Sequence, residues 1–310
     1  MKTYQSLLLG FLLLPLSALA QNAVTYSGPK VCFQANTLKV TKIGKLDGVP
    51  KESYQGMDIW GNNLVSLQNS GMATVYNFDG KTLKKKGSFP LGSRHNTNHS
   101  NLASFSNNWY NKADKMPLLY VSRCNSTVLN GMDKLFFGER IDPDGLKSEL
   151  VQTIWLNDYK HCFGGYALGC IDRETNMFYV YAETTDHTHP ESNKHWVMKF
   201  RMPEYKGPQD SLVILTEDDA IDKYYMEDTY TFAHQPITQG ACAAKGLLFL
   251  PMGFGTAQEP SVLYVINTAN HSVQNVIDMQ GAMPIEMEDC TEYQGDLIVQ
   301  CQGAVYKISF

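Results

Sequence analysis

Along this chain, short apolar runs rich in β-branched and aromatic residues alternate with clusters of turn-forming residues, and helix signals are poor throughout. The runs recur in sets. In each set an apolar inner strand leads into a Leu-, Phe- or Tyr-rich strand, then an aromatic-containing third strand, then an alternating fourth. The third strands are 73–78, 134–137, 196–200, 262–266 and 304–310, which makes five copies. Four of them are followed by a fourth strand, at 83–89, 150–156, 211–216 and 273–279, whereas the fifth has none. A matching strand stands alone at 38–46, ahead of the first full set. Radial repetition protects sheet edges, and a terminal strand that completes the last blade joins the two ends of the circle. The pattern therefore predicts an all-β chain: a five-bladed β-propeller of four-stranded antiparallel blades, the last blade closed by an N-terminal strand. The blades are expected at about 54–90, 98–157, 164–217, 236–280 and 285–310.

Turn clusters at Asn62-Asn63, Glu174-Thr-Asn176, Lys245-Gly246 and Gln294-Gly-Asp296 suit hairpins between these runs. Aligned on those turns, Gln55-Gly56-Met57, Gln239-Gly240-Ala241 and Glu288-Asp289-Cys290 fall at equivalent starts of the innermost strand. Small residues belong there, because inner strands crowd around the axis and Gly or Ala lets neighbouring backbones approach. The Gln or Glu beside them either points to one mouth of the axis, where it can bind a ligand, or pairs with the backbone of the next blade.

The first 20 residues change the picture of where the chain works. Lys2, the apolar run Leu7 to Leu16 and the small-residue site Ala18-Leu-Ala20 have the pattern of a secretory signal peptide. Residues 21–310 are then the mature chain, a single propeller domain, exported to the periplasm, the cell surface or beyond it. The apolar run is shorter than the ~20 residues a membrane-spanning helix needs, and no later stretch is long or apolar enough to span a bilayer. Lys2 is the one charged residue of the leader, so removing it takes the net charge from −5 to −6. A mildly acidic chain without basic runs argues against nucleic acid or an anionic membrane as partner, and favours a neutral or sugar-like ligand. All seven Cys lie in the mature chain, and their spacing shows no zinc-ribbon or redox pattern. Cys170, Cys242 and Cys290 sit among small or apolar residues as core hydrophobes. A Cys162–Cys170 or Cys290–Cys301 bridge is compatible with an exported chain.

Candidate chemistry concentrates in the loops that lead into the inner strands. These carry Arg94-His95 with Asn98-His99-Ser-Asn101, His161-Cys-Phe-Gly-Gly165, His234-Gln235-Pro236, and Glu286-Met-Glu288-Asp289. Parallel inner strands bring such loops to one face of the axis. His99, His161 and His234, with Gln235 or Glu286 completing the shell, can therefore form a site for one divalent metal ion, with Glu288 or Asp289 as base. The alternative for each His is a hydrogen bond to a nearby backbone carbonyl. Asp186-His187-Thr-His189-Pro-Glu191 is a second metal-capable tract, on a loop of the same face, and otherwise an ordinary solvated loop. Asp142-Pro-Asp-Gly145 lacks the spacing of a calcium loop and is a turn. No GxSxG, HExxH or P-loop pattern is present.

The runs 55–66, 98–105 with 117–122, and Gln239-Gly240 with 246–251 resemble exported β-propeller proteins of Bacteroidetes-type bacteria, which implies fold and export but no activity. Gln55-Gly56, and a Glu-rich final inner strand, Glu286 to Asp289, before the short C-terminal strand Val305 to Phe310, are similar to features of plant-type glutaminyl cyclases, also five-bladed. His234-Gln235 resembles the His/Gln metal site of metal-dependent oligogalacturonate lyases. The leading expectation is a propeller that binds a small molecule or glycan fragment at its axial mouth, with Gln55, Gln239 and Glu288 as hydrogen-bonding groups and Trp60 and Tyr166 as stacking surfaces. Seventeen Tyr in a chain with four Trp support aromatic contacts. The alternatives are a metal-dependent lyase or hydrolase of extracellular carbohydrate, and a platform for cell-surface proteins.

Overall fold

The computed structural model describes residues 23–25, 33–34, 38–163, 166–183, 194–227 and 239–309. The leader, His234, Gln235 and the Asp186 to Glu191 tract lie outside the described residues. Three strands precede the first blade: β1 (Ala23–Thr25), β2 (Phe33–Gln34) and β3 (Lys39–Lys45). Blade 1 is a plain meander of β4 (Tyr54–Trp60), β5 (Asn63–Gln68), β6 (Met72–Phe78) and β7 (Leu83–Pro90). Blade 2 follows with β8 (Leu102–Phe105), β9 (Leu119–Ser122), β10 (Leu135–Asp142) and β11 (Lys147–Leu156). Blade 3 holds β12 (Leu168–Asp172), β13 (Met177–Glu183) and β14 (Lys194–Arg201); β15 (Leu212–Leu215) comes next in the chain, then β16 (Asp222–Glu227). Blade 4 comprises β17 (Cys242–Ala244), β18 (Leu247–Met252), β19 (Val262–Asn267) and β20 (Val273–Asp278). Blade 5 comprises β21 (Met287–Tyr293), β22 (Asp296–Cys301) and β23 (Ala304–Ser309), closed by β3, which runs antiparallel to β23 with Ser309 opposite Lys39.

The inner strands form the ring. β4 touches β8, β8 touches β12, β12 touches β17, β17 touches β21, and β21 returns to β4. The chain is a five-bladed β-propeller. One apolar cluster fills each junction between neighbouring blades. Blade 1 shows why its strands read as nearly continuous apolar runs: Val65, Leu67 and Val75 pack on blade 2, while Leu64, Tyr76 and Phe78 pack on blade 5. Both faces are buried, so alternation survives only toward the rim, where β7 exposes Lys84 and Lys85. Tight hairpins join the inner pairs, with Lys245, Gly246, Gln294 and Gly295 in the left-handed region, φ 54° to 92°.

One strand assignment is corrected. The segment 211–216 is not the fourth strand of blade 3: β15 leaves that blade and adds to blade 2, parallel to β11 with Leu212 opposite Thr153. Its Leu212 and Ile214 are about half exposed, as an outer strand packed on one face requires. The fourth position belongs to β16, antiparallel to β14. A long connection with two single-turn 3-10 helices and β15 separates β14 from β16. β1 and β2 likewise add parallel fifth strands, to β16 of blade 3 and β20 of blade 4. The two suggested disulfides are also absent, since Cys162, Cys170, Cys290 and Cys301 are thiols.

Candidate functional site

Because the inner strands all run the same way, their first residues surround one mouth of the axis, the top, and their last residues the other. Between the mouths lies Asp289, fully buried on β21. Its Oδ2 accepts the N–H groups of Met57 (2.8 Å) and Ala103 (3.0 Å), and its Oδ1 those of Ala241 (3.2 Å) and Cys290 (2.9 Å). One carboxyl group thus holds blades 1, 2 and 4 to blade 5. Burial drives its pKa up, the N–H donors oppose this, and the balance leaves it well above the ordinary carboxylate value. The carboxyl fits only because the neighbouring blade gives way: a Cβ on Gly240 would lie 2.1 Å from Asp289 Oδ1. Gly56 plays a similar part, since its Cβ would meet the backbone of Ala103 and Leu102 at 2.8 and 2.9 Å. Close backbone approach at these strand starts is what the Gly residues predicted.

Above Asp289 a polar network lines the top mouth. Asn101 Nδ2 donates to Gln55 Oε1 (2.9 Å) and Gln239 Oε1 (3.3 Å), and Gln239 Nε2 donates to Glu286 Oε1 (2.8 Å). Gln302 Nε2 donates to Glu288 Oε1, and Gln300 Nε2 donates to the carbonyls of Gln55 and Gly56. The Tyr181 hydroxyl, from blade 3, donates to the carbonyls of Gln239 and Gly240. All five blades therefore contribute. Gln55, Asn101, Gln239 and Glu288 are buried, while Glu286 is half-buried and Gln302 exposed, so the network reaches solvent along blade 5. Two amide oxygens inside it, Asn101 Oδ1 and Gln300 Oε1, are buried without a hydrogen-bond donor among the described residues.

The carboxyl pair sets the electrostatics. Burial, then the charge of neighbouring Glu286, pushes the Glu288 pKa up to about 9, and the two carboxyl groups hydrogen-bond each other. Glu288 is consequently a protonated acid at neutral pH, able to donate.

The structure brings Gln55, Gln239, Glu286 and Glu288 together with Asn101, and sets Asp289 just beneath them. Tyr166 is half-buried on the cluster between blades 2 and 3, close to Tyr181. Trp60 stands apart from this group. It occupies the far end of β4 from Gln55, about 17 Å along the strand at 3.3 Å per residue. There it meets Trp109 edge-on with ring centres 5.8 Å apart, under the Arg173 guanidinium. His99 lies two residues before Asn101, half-buried, with burial lowering its pKa; its carbonyl accepts the N–H groups of Asn101 and Cys124. His161 is exposed, on a turn that follows β11 at the edge of blade 2. Beside it, Asp158, Cys162 and Glu217 place one potential metal-ligating atom each within 4.8 Å of the others.

Sequence reasoning missed Asn101, Gln300 and Gln302 as parts of the site. A signal existed for Gln300: an amide inside the apolar run Leu297 to Cys301 must find partners when buried.

No known protein family matches the sequence, and no curated protein matches it. Solved structures of similar fold include Myxococcus xanthus glutaminyl cyclase, at 11% identity over 87% of this chain and 96% of that one, TM-score 0.46. A Bacteroides thetaiotaomicron protein of unknown function is 10% identical over 88% of this chain and 76% of that one, TM-score 0.41. A glucose dehydrogenase is 9% identical over 88% and 99%, TM-score 0.49. These likenesses concern the fold alone.

Proposed function

We propose that this chain is an exported propeller that binds a small, neutral, hydroxyl-rich molecule, a sugar or glycan fragment, at the top mouth of its axis. The observation that carries this reading is the amide and carboxyl network of Gln55, Asn101, Gln239, Glu286, Glu288 and Gln302, with two buried amide oxygens lacking donors. A hydroxyl group supplies what such an oxygen lacks, and amides answer each hydroxyl as donor and acceptor. Neutral Glu288 adds a donor without adding charge. The leader-like residues 1–20 support export. The test is calorimetry against a panel of mono- and oligosaccharides, with Gln239→Ala and Gln55→Ala alongside. Binding by one sugar class, weakened tenfold or more in both variants, is expected; no binding across the panel, or binding indifferent to both substitutions, refutes it.

One observation favours a second reading, a lyase or hydrolase acting on such a ligand. Glu288, its pKa pushed up to about 9 and its carboxyl hydrogen-bonded to that of Glu286, is an acid at the mouth able to donate a proton, with a second carboxyl beside it. In that case Glu288→Gln retains sugar binding and loses turnover. Full turnover by that variant on a cleaved glycan would remove Glu288 from the chemistry.

A further inference from the structure

The connection from β11 to blade 3 and the turn after β15 meet at the rim, away from the axis. Asp158, Cys162 and Glu217 converge there, the two acids buried and the thiol half-buried. The turn is built to hold Asp158: its Oδ1 accepts the Cys162 N–H (2.7 Å) and its Oδ2 the Phe163 N–H (2.9 Å). Glu217 comes from the 3-10 turn Glu217–Asp219, capped by Thr216 and Asp219, and its Oε1 accepts the Lys160 N–H at 2.8 Å. Its Oε2 is buried and, among the described residues, meets no hydrogen-bond donor other than the neighbouring Asp158 carboxyl.

Two carboxyl groups cannot meet in a buried place unless something positive lies between them. Lys134, also buried, has its Nζ 2.6 Å from Asp133 and only 3.5 Å from Asp158, so Asp133 already answers most of its charge. The Asp158 and Glu217 pair therefore keeps a surplus negative charge, which a shared proton or a cation must balance.

We propose that Asp158, Cys162 and Glu217 form a divalent metal site, with zinc the fitting ion, at the rim between blades 2 and 3. One thiolate and two carboxylates suit zinc, whose ligands in a tetrahedral shell lie about 3.5 Å apart. The present spacing, within 4.8 Å, needs a contraction of about 1 Å to reach it. The half-exposed side of Cys162 gives the ion a way in and leaves the fourth position to solvent. Binding replaces the proton of the thiol by the ion, so at least one proton leaves per metal bound. This site is independent of the axial network, and its failure would leave the sugar reading untouched.

The experiment is titration of the full chain, purified without chelator or metal-affinity tag and dialysed against chelator, with Zn2+ by calorimetry and with Cd2+ by ultraviolet absorption. One equivalent of each is expected, with the charge-transfer band of a Cd–thiolate bond. Cys162→Ser should abolish the band, and Glu217→Gln should weaken Zn2+ at least tenfold. Repeating the calorimetry in buffers of different ionisation enthalpy should return the proton release. A wild-type chain that takes up neither ion, or one whose band and affinity persist in both variants, overturns the assignment. If Cys162→Ser fails to fold, Glu217→Gln and the proton count decide on their own.

Discussion

Replacing Glu288 by Gln should stabilise the protein, and increasingly so as the pH rises. The carboxyl is buried beside Glu286 and carries a pKa of about 9, against an ordinary value of 4.5. Between those two values the folded chain holds a proton that the unfolded chain releases, so stability falls as pH rises, by up to ~1.4 kcal/mol per pH unit. At pH 7 the accumulated loss is on the order of 3 kcal/mol. Below pH 4.5 there is none, and above pH 9 it no longer grows. Gln is neutral at every pH and nearly the same shape. Its oxygen can still accept from Gln302, and its NH2 can donate to Glu286 where the acid proton did. Urea denaturation followed by tryptophan fluorescence at pH 5, 7 and 9 measures the difference. Little change at pH 5 and a clear gain at pH 7 that widens at pH 9 are expected. Parallel pH profiles for the two proteins, or a variant less stable at pH 9, would show that Glu288 is not held as a neutral acid.

Asp289→Ala strips the acceptor from four buried backbone N–H groups at once. At the low figure of ~1 kcal/mol for each unsatisfied group it should cost about 4 kcal/mol, read as a large drop in thermal midpoint or as insoluble expression; a wild-type melting curve would contradict the hub role. Gly56→Ala sets a methyl group against the backbone of blade 2 rather than a flexible side chain, and should destabilise by about 1–3 kcal/mol in the same assay. An unchanged midpoint there would mean that the inner strands are spaced more loosely than the contacts imply.

The ring was legible in the sequence because each blade repeats one order of short apolar runs, and both blade faces are buried, so even the degenerate copies stay apolar. Val65, Leu67 and Val75 could not be polar and still pack on blade 2. The closing strand 39–45 was legible for a related reason: a blade one strand short demands a partner, and a lone strand at the other end supplies it. What misled was β15. Leu212 to Leu215 is an apolar run of the right length for a fourth strand, but an apolar run does not say which blade it packs on. β16, with Asp222 and Glu227 flanking tyrosines, looked less like a strand than the segment before it. At the axis, the residue types at strand starts pointed correctly to Gln55, Gln239 and Glu288 as neighbours. Trp60 was grouped with them as an aromatic on the same strand, yet it lies five residues beyond Gln55, and an extended strand carries it about 17 Å away. Asp289 illustrates the remaining gap. Its four hydrogen bonds go to backbone groups contributed by four blades, and a backbone N–H has no letter in the sequence.

β1, β2 and β3 edge blades 3, 4 and 5 in succession, a belt of three strands on three of the five blades. Such a belt inverts the order of assembly. The segment made first can dock only when its last host blade exists, so until Ala304 to Ser309 has formed β23 the ring has an open seam and the belt no complete track. Contacts between positions 39–45 and 304–309 are among the longest-range in the molecule, and loops of that length close slowly. Once closed, the same belt turns release of one blade into a problem for its neighbours: peeling blade 5 away from blade 1 must first unzip β3. The protein is thereby expected to resist local fraying at its seam and to open, when it opens, as a whole.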